Sequence, residues 1–409
     1  MKQTYYKSFG VNECLTFGEF CAMKVLEDIR VLDLTHAVFG PFCCFVLGGF
    51  GAEVIKIEPP WGSLGRIRPT GMVHGASTSF YSVHLNKKGM AIDLKHPDGV
   101  AIFKELVKVS DVVVQNFSPG TMERLGIGYD VLKELNPGII YAALSGFGQT
   151  GPYSPRGSFA PIAEAMSGHT RETGDRVDPD GPPISMSGAI GDVGPAMWAA
   201  VSILAALRYR DKTGKGQMID VAQADCMATF NSVSIMTYTM LGMTRTELRQ
   251  KYPDMIRGFG GIMKVKDGWI HIAGSRVRAI ENLKNKLGVD SVTTEMVREI
   301  VSEMTRDEAV DYMVEIGAPV APIYSVKETV KDPHLIARDM FVEVEHPKAG
   351  TITAVNFPVK LSETPGGVWR ASPILGQHNR EILRDLLSYP EAEIDRLESE
   401  GVIITEKVD

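Results

Sequence analysis

Between residues 30 and 222 short β-branched runs alternate with helical segments, and this alternation restricts the fold more than any other feature of the chain. Strands are expected at 31–34, 53–57, 111–115, 139–144 and 218–221. Helices are expected at 41–50, 97–109, 120–125, 130–135, 161–167 and 195–208. Strands that take turns with helices pair in parallel, because each parallel pairing needs a crossover and a helix supplies it. The expected fold is therefore α/β, a Rossmann-like, mostly parallel sheet with helices on both faces and a site at the carboxyl ends of its strands. A chain of 409 residues exceeds what one core usually supports, so a second domain is expected. The pattern changes at Gly261-Ile-Met-Lys-Val-Lys-Asp-Gly268-Trp-Ile-His-Ile-Ala-Gly274, which reads as a hairpin turning at Lys266-Asp267-Gly268. Helices follow, with capping-box spacing at Thr305 with Glu308 and Ser325 with Glu328. Residues 226–345 are read as this smaller α+β domain and residues 23–225 as the larger one.

Within that frame one carboxylate stands out. Gly188-Ala-Ile-Gly-Asp192 precedes an apolar run from Val193 to Leu207, followed by Arg208-Tyr-Arg-Asp-Lys212-Thr-Gly-Lys-Gly-Gln217. A helix over 194–207 is apolar on nearly every face and belongs in a core, and Pro195 suits its first turn. Asp192 then stands at the mouth of a buried helix. Aspartate there commonly caps the first free N–H groups. At the edge of a dry interior the same carboxylate is poorly hydrated and able to attack an activated acyl group. Local chemistry leaves both roles open.

The order of Val31-Leu-Asp-Leu-Thr-His36, Gly51-Ala-Glu-Val-Ile-Lys-Ile-Glu58, Asn86-Lys-Lys, Asn116-Phe-Ser-Pro-Gly120, Leu144-Ser-Gly-Phe-Gly-Gln-Thr-Gly-Pro152, Gly191-Asp192 and Lys212-Thr-Gly-Lys-Gly-Gln217 resembles the class III CoA-transferase family, which includes formyl-CoA transferase and the carnitine CoA-transferases. Pro319-Val-Ala-Pro322, Asp332-Pro-His, Val342-Glu-Val-Glu-His346-Pro and Pro358-Val-Lys-Leu-Ser362 extend the resemblance over roughly residues 24–390, and no single motif carries it. The resemblance implies that Asp192 is the acyl-carrying nucleophile. It implies CoA contacts at His36, Val38, Phe39, Asn116, Phe117, Arg124 and Gly146, and a glycine loop at Gly258, Gly260 and Gly261 beside the reacting carbonyl. Two family cations are absent, since Pro59 and Ser145 occupy their places. It also implies that residues 346–409 return to the large domain and that two chains form an interlocked-ring homodimer. CoA then enters as part of the acyl-CoA substrate, exchanged against a carboxylic acid, with no metal or other cofactor required.

Other function classes fit less well. The first strand, turn and helix, with Glu58 closing the second strand, resemble a dinucleotide-binding unit, but a phosphate-cradling turn needs several glycines and this one has only Gly40. A net charge of −7 argues against a nucleic-acid surface, and no run is expected to approach a membrane helix of ~20 apolar residues. The five cysteines have no disulfide or zinc spacing, which fits a reducing cytoplasm, and Cys43 and Cys44 read as small buried hydrophobes. No histidine has metal-ligand spacing, and no serine or cysteine has a nucleophile-elbow signature. Two rivals remain beside the transferase. One is a 2-methylacyl-CoA racemase of the same fold, which resembles this chain but carries a proton-shuttling histidine where Phe159 stands. The other is a non-enzymatic CoA-binding protein. Residues 1–22 lack the apolar core of a signal peptide and precede the resemblance, so they are expected to be a leader, a mis-called extension or a disordered tail, with Met23 as the biological start.

Overall fold

A computed structural model describes residues 23–67, 71–252, 259–274 and 276–407. Residues 1–22, Arg257 and Gly258 lie outside the described residues. The described residues divide into two compact units, one taking those up to Ser232 and again from Met340, the other those within Val233–Asp339. The larger unit holds β1 (Arg30–Asp33), β2 (Glu53–Glu58), β3 (Met72–Val73), β4 (Ala76–Ser77), β5 (Lys87–Ala91), β6 (Val112–Gln115), β7 (Ile140–Ser145) and β8 (Met218–Ala222). The smaller holds β9 (Phe259–Val265), β10 (Gly268–Gly274) and β11 (Val320–Pro322), and the larger resumes with the hairpin β12 (Phe341–His346) and β13 (Gly350–Val355).

Six strands of the larger unit form one parallel sheet in the order β5-β2-β1-β6-β7-β8. The chain winds outward from β1 to β5, returns to place β6 beside β1, and winds outward again to β8. The reversal leaves a crevice at the carboxyl ends of β1 and β6, where open sheets of this kind bind ligands. Side-chain alternation builds a core on each face. Val31, Val54, Val112 and Ile140 pack with helices Phe39–Gly49 and Ile190–Thr213. Their neighbours Leu32, Ile55, Val113 and Tyr141 pack with helices Pro97–Lys108 and Glu391–Ser399. Cys43 and Cys44 are fully buried in the first of these cores, and burial pushes both thiols well above the usual cysteine range.

The strand-rich alternation is realised with some differences. Strand β5 was not expected, because Lys87-Lys-Gly-Met-Ala91 carries two cations. Both are neutralised only in the fold, Lys87 by Asp33 at 2.8 Å and Lys88 by Glu53 and Glu381 at 2.6 and 2.8 Å. Helix His169–Val177 was also unforeseen. The long helix runs Ile190–Thr213, starting before Asp192. By length and composition it is long and apolar enough to cross a membrane, contrary to the expectation from sequence. Half of that apolar stretch is buried, with Ala196, Ala199, Ala200 and Ile203 in the core against the sheet, so it serves as a core helix.

The smaller unit contains the expected hairpin, β9 and β10 paired antiparallel through Val265 and Gly268, with β11 on the other side of β10. Both capping boxes form, at Thr305 with Glu308 and Ser325 with Glu328. The boundaries at 226 and 345 need moving. Helix Gln223–Phe230 packs on Ile190–Thr213 and belongs with the larger unit, and a cut after 345 would split β12 before its last residue, His346.

Candidate active site

The crevice begins where β1 ends. The Asp33 carboxylate accepts from the backbone N–H and hydroxyl of Thr35 at 2.9 and 2.5 Å, bending the chain out of the strand. Beneath this turn Lys87 donates to Asp33 Oδ2 at 2.8 Å, and Lys56 reaches Asp33 Oδ1 at 3.6 Å while donating to the Thr35 carbonyl. All three charges are fully buried. Burial alone would raise the Asp33 pKa, but Lys56 and Lys87 hold its carboxyl well below the usual range. Gly40 permits the turn, since a Cβ there would come within 2.3 Å of Thr35 Cγ2.

The turn is tied across the crevice by Asn116, which follows β6. Its Oδ1 accepts from His36 N–H at 2.8 Å, and its Nδ2 donates to the His36 carbonyl at 2.9 Å. The His36 ring lies 5.8 Å from that of Phe117. Arg124, exposed on helix Thr121–Arg124, donates to Thr121 Oγ1 at 2.7 Å. His36, Val38, Asn116 and Phe117 are thus partly exposed around the switch point, whereas Phe39 is a core residue that can offer a ligand only its backbone.

Burial, and after it the charge of Lys56, pushes the His36 pKa down to about 4. The imidazole is neutral at pH 7. An unfolded histidine takes up its proton near pH 6.5, before the folded one does, so His36 contributes stability above that pH and loses it as pH falls towards 4. We expect unfolding free energy to drop by up to about 3 kcal/mol across this window through His36. Urea titrations at pH 7 and 4.5 would show a smaller drop for His36→Gln, and an unchanged drop refutes the assignment.

The second part of the site lies at the ends of β7 and β8. Asp192 is the third residue of helix Ile190–Thr213, whose N-cap is Ala189 in the left-handed region at φ 51°. Asp192 is therefore not the cap that local reading allowed. The helix start is held from outside instead: the Gly191 N–H donates to Glu164 Oε1 at 2.9 Å. Pro195, in the second turn rather than the first, has no N–H to give to the Gly191 carbonyl four residues earlier. The side chain of Gln223 replaces that lost bond, Nε2 donating to the Gly191 carbonyl at 3.0 Å and to Asp192 Oδ1 at 2.5 Å. Glu164, Asp192 and Gln223 are 2%, 8% and 3% exposed, a buried polar cluster at the positive end of a helix.

Two glycines permit close approach at this cluster. A Cβ on Gly191 would come within 2.5 Å of the Ala160 carbonyl, and one on Gly146 within 2.1 Å of Ser158 Cβ. The segment 158–160 therefore bridges the loop after β7 and the start of the long helix, with Phe159, 49% exposed, between its two contacts. The Gly146 carbonyl accepts from Ala224 N–H at 3.0 Å, next to Gln223.

The structure thus gathers the expected residues into two groups on one sheet edge, His36 with Asn116 and Phe117, and Asp192 with Gly146. Gly260 and Gly261 belong to the smaller unit. Both lie within β9, paired with Ala273 and Ile272 of β10, so they are strand residues rather than a loop ahead of the hairpin. Gly261 has φ 101°, and a Cβ on Gly260 would come within 2.8 Å of the Ile272 carbonyl, which gives both glycines a backbone reason to be there. Glu58 is equally occupied: Ser63 and Arg66 take both of its oxygens at 2.7 to 3.1 Å, so it offers no carboxylate to a ribose. Glu164 and Gln223 were missed. Gln223 carried a signal, an amide directly after a parallel strand, but Glu164 sits mid-helix and carried none.

A doubly wound parallel sheet with a buried carboxylate at a helix start on its carboxyl edge is an arrangement found among α/β enzymes that bind ligands at that edge. Residues 26–379 match CoA-transferase family III, and the chain belongs to that family and is a CoA-transferase. It is 36% identical over 401 residues to the succinyl-CoA–D-citramalate CoA-transferase of Chloroflexus aurantiacus, covering 93% of this chain and 98% of that one. It is 34% identical to the succinyl-CoA:glutarate CoA-transferase of Mus musculus (93% and 91% covered) and 31% identical to the formyl-CoA:oxalate CoA-transferase of Streptomyces coelicolor (93% and 99%). A crystal structure of a CAIB/BAIF family protein from Brucella suis superposes with a TM-score of 0.78 at 27% identity, covering 89% of this chain and all of that one.

Proposed function

We propose that this CoA-transferase moves CoA between carboxylic acids through covalent intermediates on Asp192. Asp192 attacks the donor thioester, forming a mixed anhydride and releasing CoA thiolate. The thiolate then attacks the aspartyl carbon, expelling the donor acid and leaving an aspartyl-CoA thioester. The acceptor acid reverses the sequence, and the thioester energy is conserved. The observation that carries this reading is the placement of Asp192, a buried carboxylate held by Gln223 at a helix start on the ligand-binding edge of the sheet.

The His36 group and Arg124 are proposed to hold CoA. Going from β1 to β8 takes three steps across the sheet, ~14 Å, so a long arm anchored at the switch point can extend its thiol towards Asp192. A racemase needs a proton carrier on each face of the substrate, and Phe159, beside the Asp192 turn, supplies none. In this reading CoA arrives only as part of the substrate, no metal or other cofactor takes part, and the enzyme is cytoplasmic. Succinyl-CoA, the donor named for two of the relatives above, heads the panel for testing. Acyl-CoA donors are incubated with carboxylic acids and the CoA products read by mass spectrometry. Release of α-hydrogen to deuterated water from a 2-methylacyl-CoA, without an acceptor, would favour the racemase.

We further propose a homodimer with interlocked chains. Trp198 and Val201 are half-exposed on the long helix, and Val233, Met236, Tyr238, Met240 and Leu241 are at least half-exposed on helix Ser232–Leu241. A second copy is the partner the family resemblance implies for such surfaces. Light scattering should give twice the chain mass, persisting on dilution to nanomolar concentration. An active monomer would overturn it.

A further inference from the structure

Gln223 has no part in the mechanism as stated so far, yet it touches an atom that reacts. Its amide nitrogen faces two acceptors, the Gly191 carbonyl at 3.0 Å and Asp192 Oδ1 at 2.5 Å. A flipped amide would set oxygen against oxygen, so the nitrogen's placement is dictated by its neighbours. Its two N–H bonds are matched one to each acceptor. The Gly191 carbonyl is available because Pro195 cannot bond it, and that second bond fixes the amide plane whether or not Asp192 is modified. The side chain is buried, and its backbone starts helix Gln223–Phe230 directly after β8. It is a rigid, water-excluded donor aimed at one oxygen of Asp192.

Resting on the reading of Asp192 as nucleophile, we infer that Gln223 is the oxyanion donor for the half of the reaction that takes place on the aspartyl carbon, and that it makes Oδ1 the oxygen Asp192 keeps. In the anhydride, Oδ2 links Cγ to the donor acyl carbon. CoA thiolate forms a bond to Cγ, and the Cγ=Oδ1 π electrons move onto Oδ1, where the Gln223 N–H already lies. Collapse restores Cγ=Oδ1 and breaks Cγ–Oδ2, so Oδ2 departs with the donor acid. When an acceptor carboxylate oxygen adds to Cγ, charge again develops on Oδ1 and CoA thiolate leaves. Thiolate attack on the acceptor's acyl carbon then frees Asp192, which retains one acceptor oxygen. Each turnover replaces one oxygen of Asp192. Gln223 holds the other in place.

Oxygen counting tests this. The enzyme is cycled many times with an acyl-CoA and its own acid labelled with 18O at every carboxyl oxygen, using the pair that exchanges fastest, with succinyl-CoA and succinate as the first pair. The peptide containing Asp192 is then weighed. The wild-type enzyme should gain one 18O, 2 Da, and stop there. Gln223→Met, which keeps the side-chain length but has no N–H, should let the carboxylate rotate and gain two, 4 Da. Its kcat should fall by on the order of 10²–10³, as for other lost oxyanion donors, with acyl anhydride trapped in excess over aspartyl-CoA thioester. Gln223→Asn, which keeps the donor on a shorter arm, should recover part of the rate. Two labels in the wild-type enzyme would overturn the role of Gln223 even if the variants fail to fold. No label despite CoA exchange would instead overturn the aspartyl mechanism itself.

Discussion

Asp192→Asn is expected to lose CoA exchange by on the order of 10⁴-fold or more in kcat, because an amide is not a nucleophile and cannot become the anhydride or thioester. The fold should hardly notice. Asp192 is not the N-cap, and asparagine keeps a carbonyl oxygen where Gln223 donates. What is lost is the attraction of a carboxylate to the helix start, ~0.3–1 kcal/mol. Intact mass measurement after mixing with a donor acyl-CoA should show an adduct on the wild-type enzyme, removed by hydroxylamine, and none on the variant. Turnover near the wild-type rate would exclude Asp192 as nucleophile, and an unfolded variant would mean that the carboxylate supports the helix start more than its geometry indicates.

Asp33→Ala should destabilise the larger unit by about 3–5 kcal/mol, since it leaves Lys56 and Lys87 buried without a counter-charge. Replacing Asp33, Lys56 and Lys87 together by apolar residues should cost far less, because the penalty lies in an unpaired buried charge. The loss also reaches the site. Asp33 accepts two bonds from Thr35 and Lys56 donates to the Thr35 carbonyl, so the turn that presents His36 to Asn116 rests on this cluster. KM for the acyl-CoA should therefore rise in any folded variant while kcat changes less. Urea unfolding and steady-state kinetics check both halves, and a change under 1 kcal/mol would show that the two lysines find other partners.

Five of the six parallel strands and the helices between them were legible because short runs rich in apolar and β-branched residues lie between turn signals, and crossovers write helical periods. Strand β5 was not, since its lysines become apolar in effect only when Asp33, Glu53 and Glu381 meet them. Asp192 was visible as a carboxylate ahead of an apolar run, but its role as cap depended on a helix boundary. Ala189, not a polar residue, turned out to begin the helix, which a propensity for caps does not foresee.

By itself, then, the sequence determined the parallel α/β class, the hairpin of the second unit and both capping boxes, because each rests on contacts or periodicities within a few residues, whereas Asp192 was singled out by a resemblance that runs along most of the chain. Only the tertiary structure decided which groups meet Gly191 and Asp192 at the helix start. Glu164 and Gln223 lie 28 residues before Asp192 and 31 after it in the chain, and they converge because β8 ends beside β7 and because Pro195 leaves a carbonyl for an amide to find. Spacing along a chain carries no record of such meetings when the partners come from different crossovers. The same reason moved Gly260 and Gly261 from an expected loop into β9, since their pairing with β10 depends on strand register rather than on glycine content.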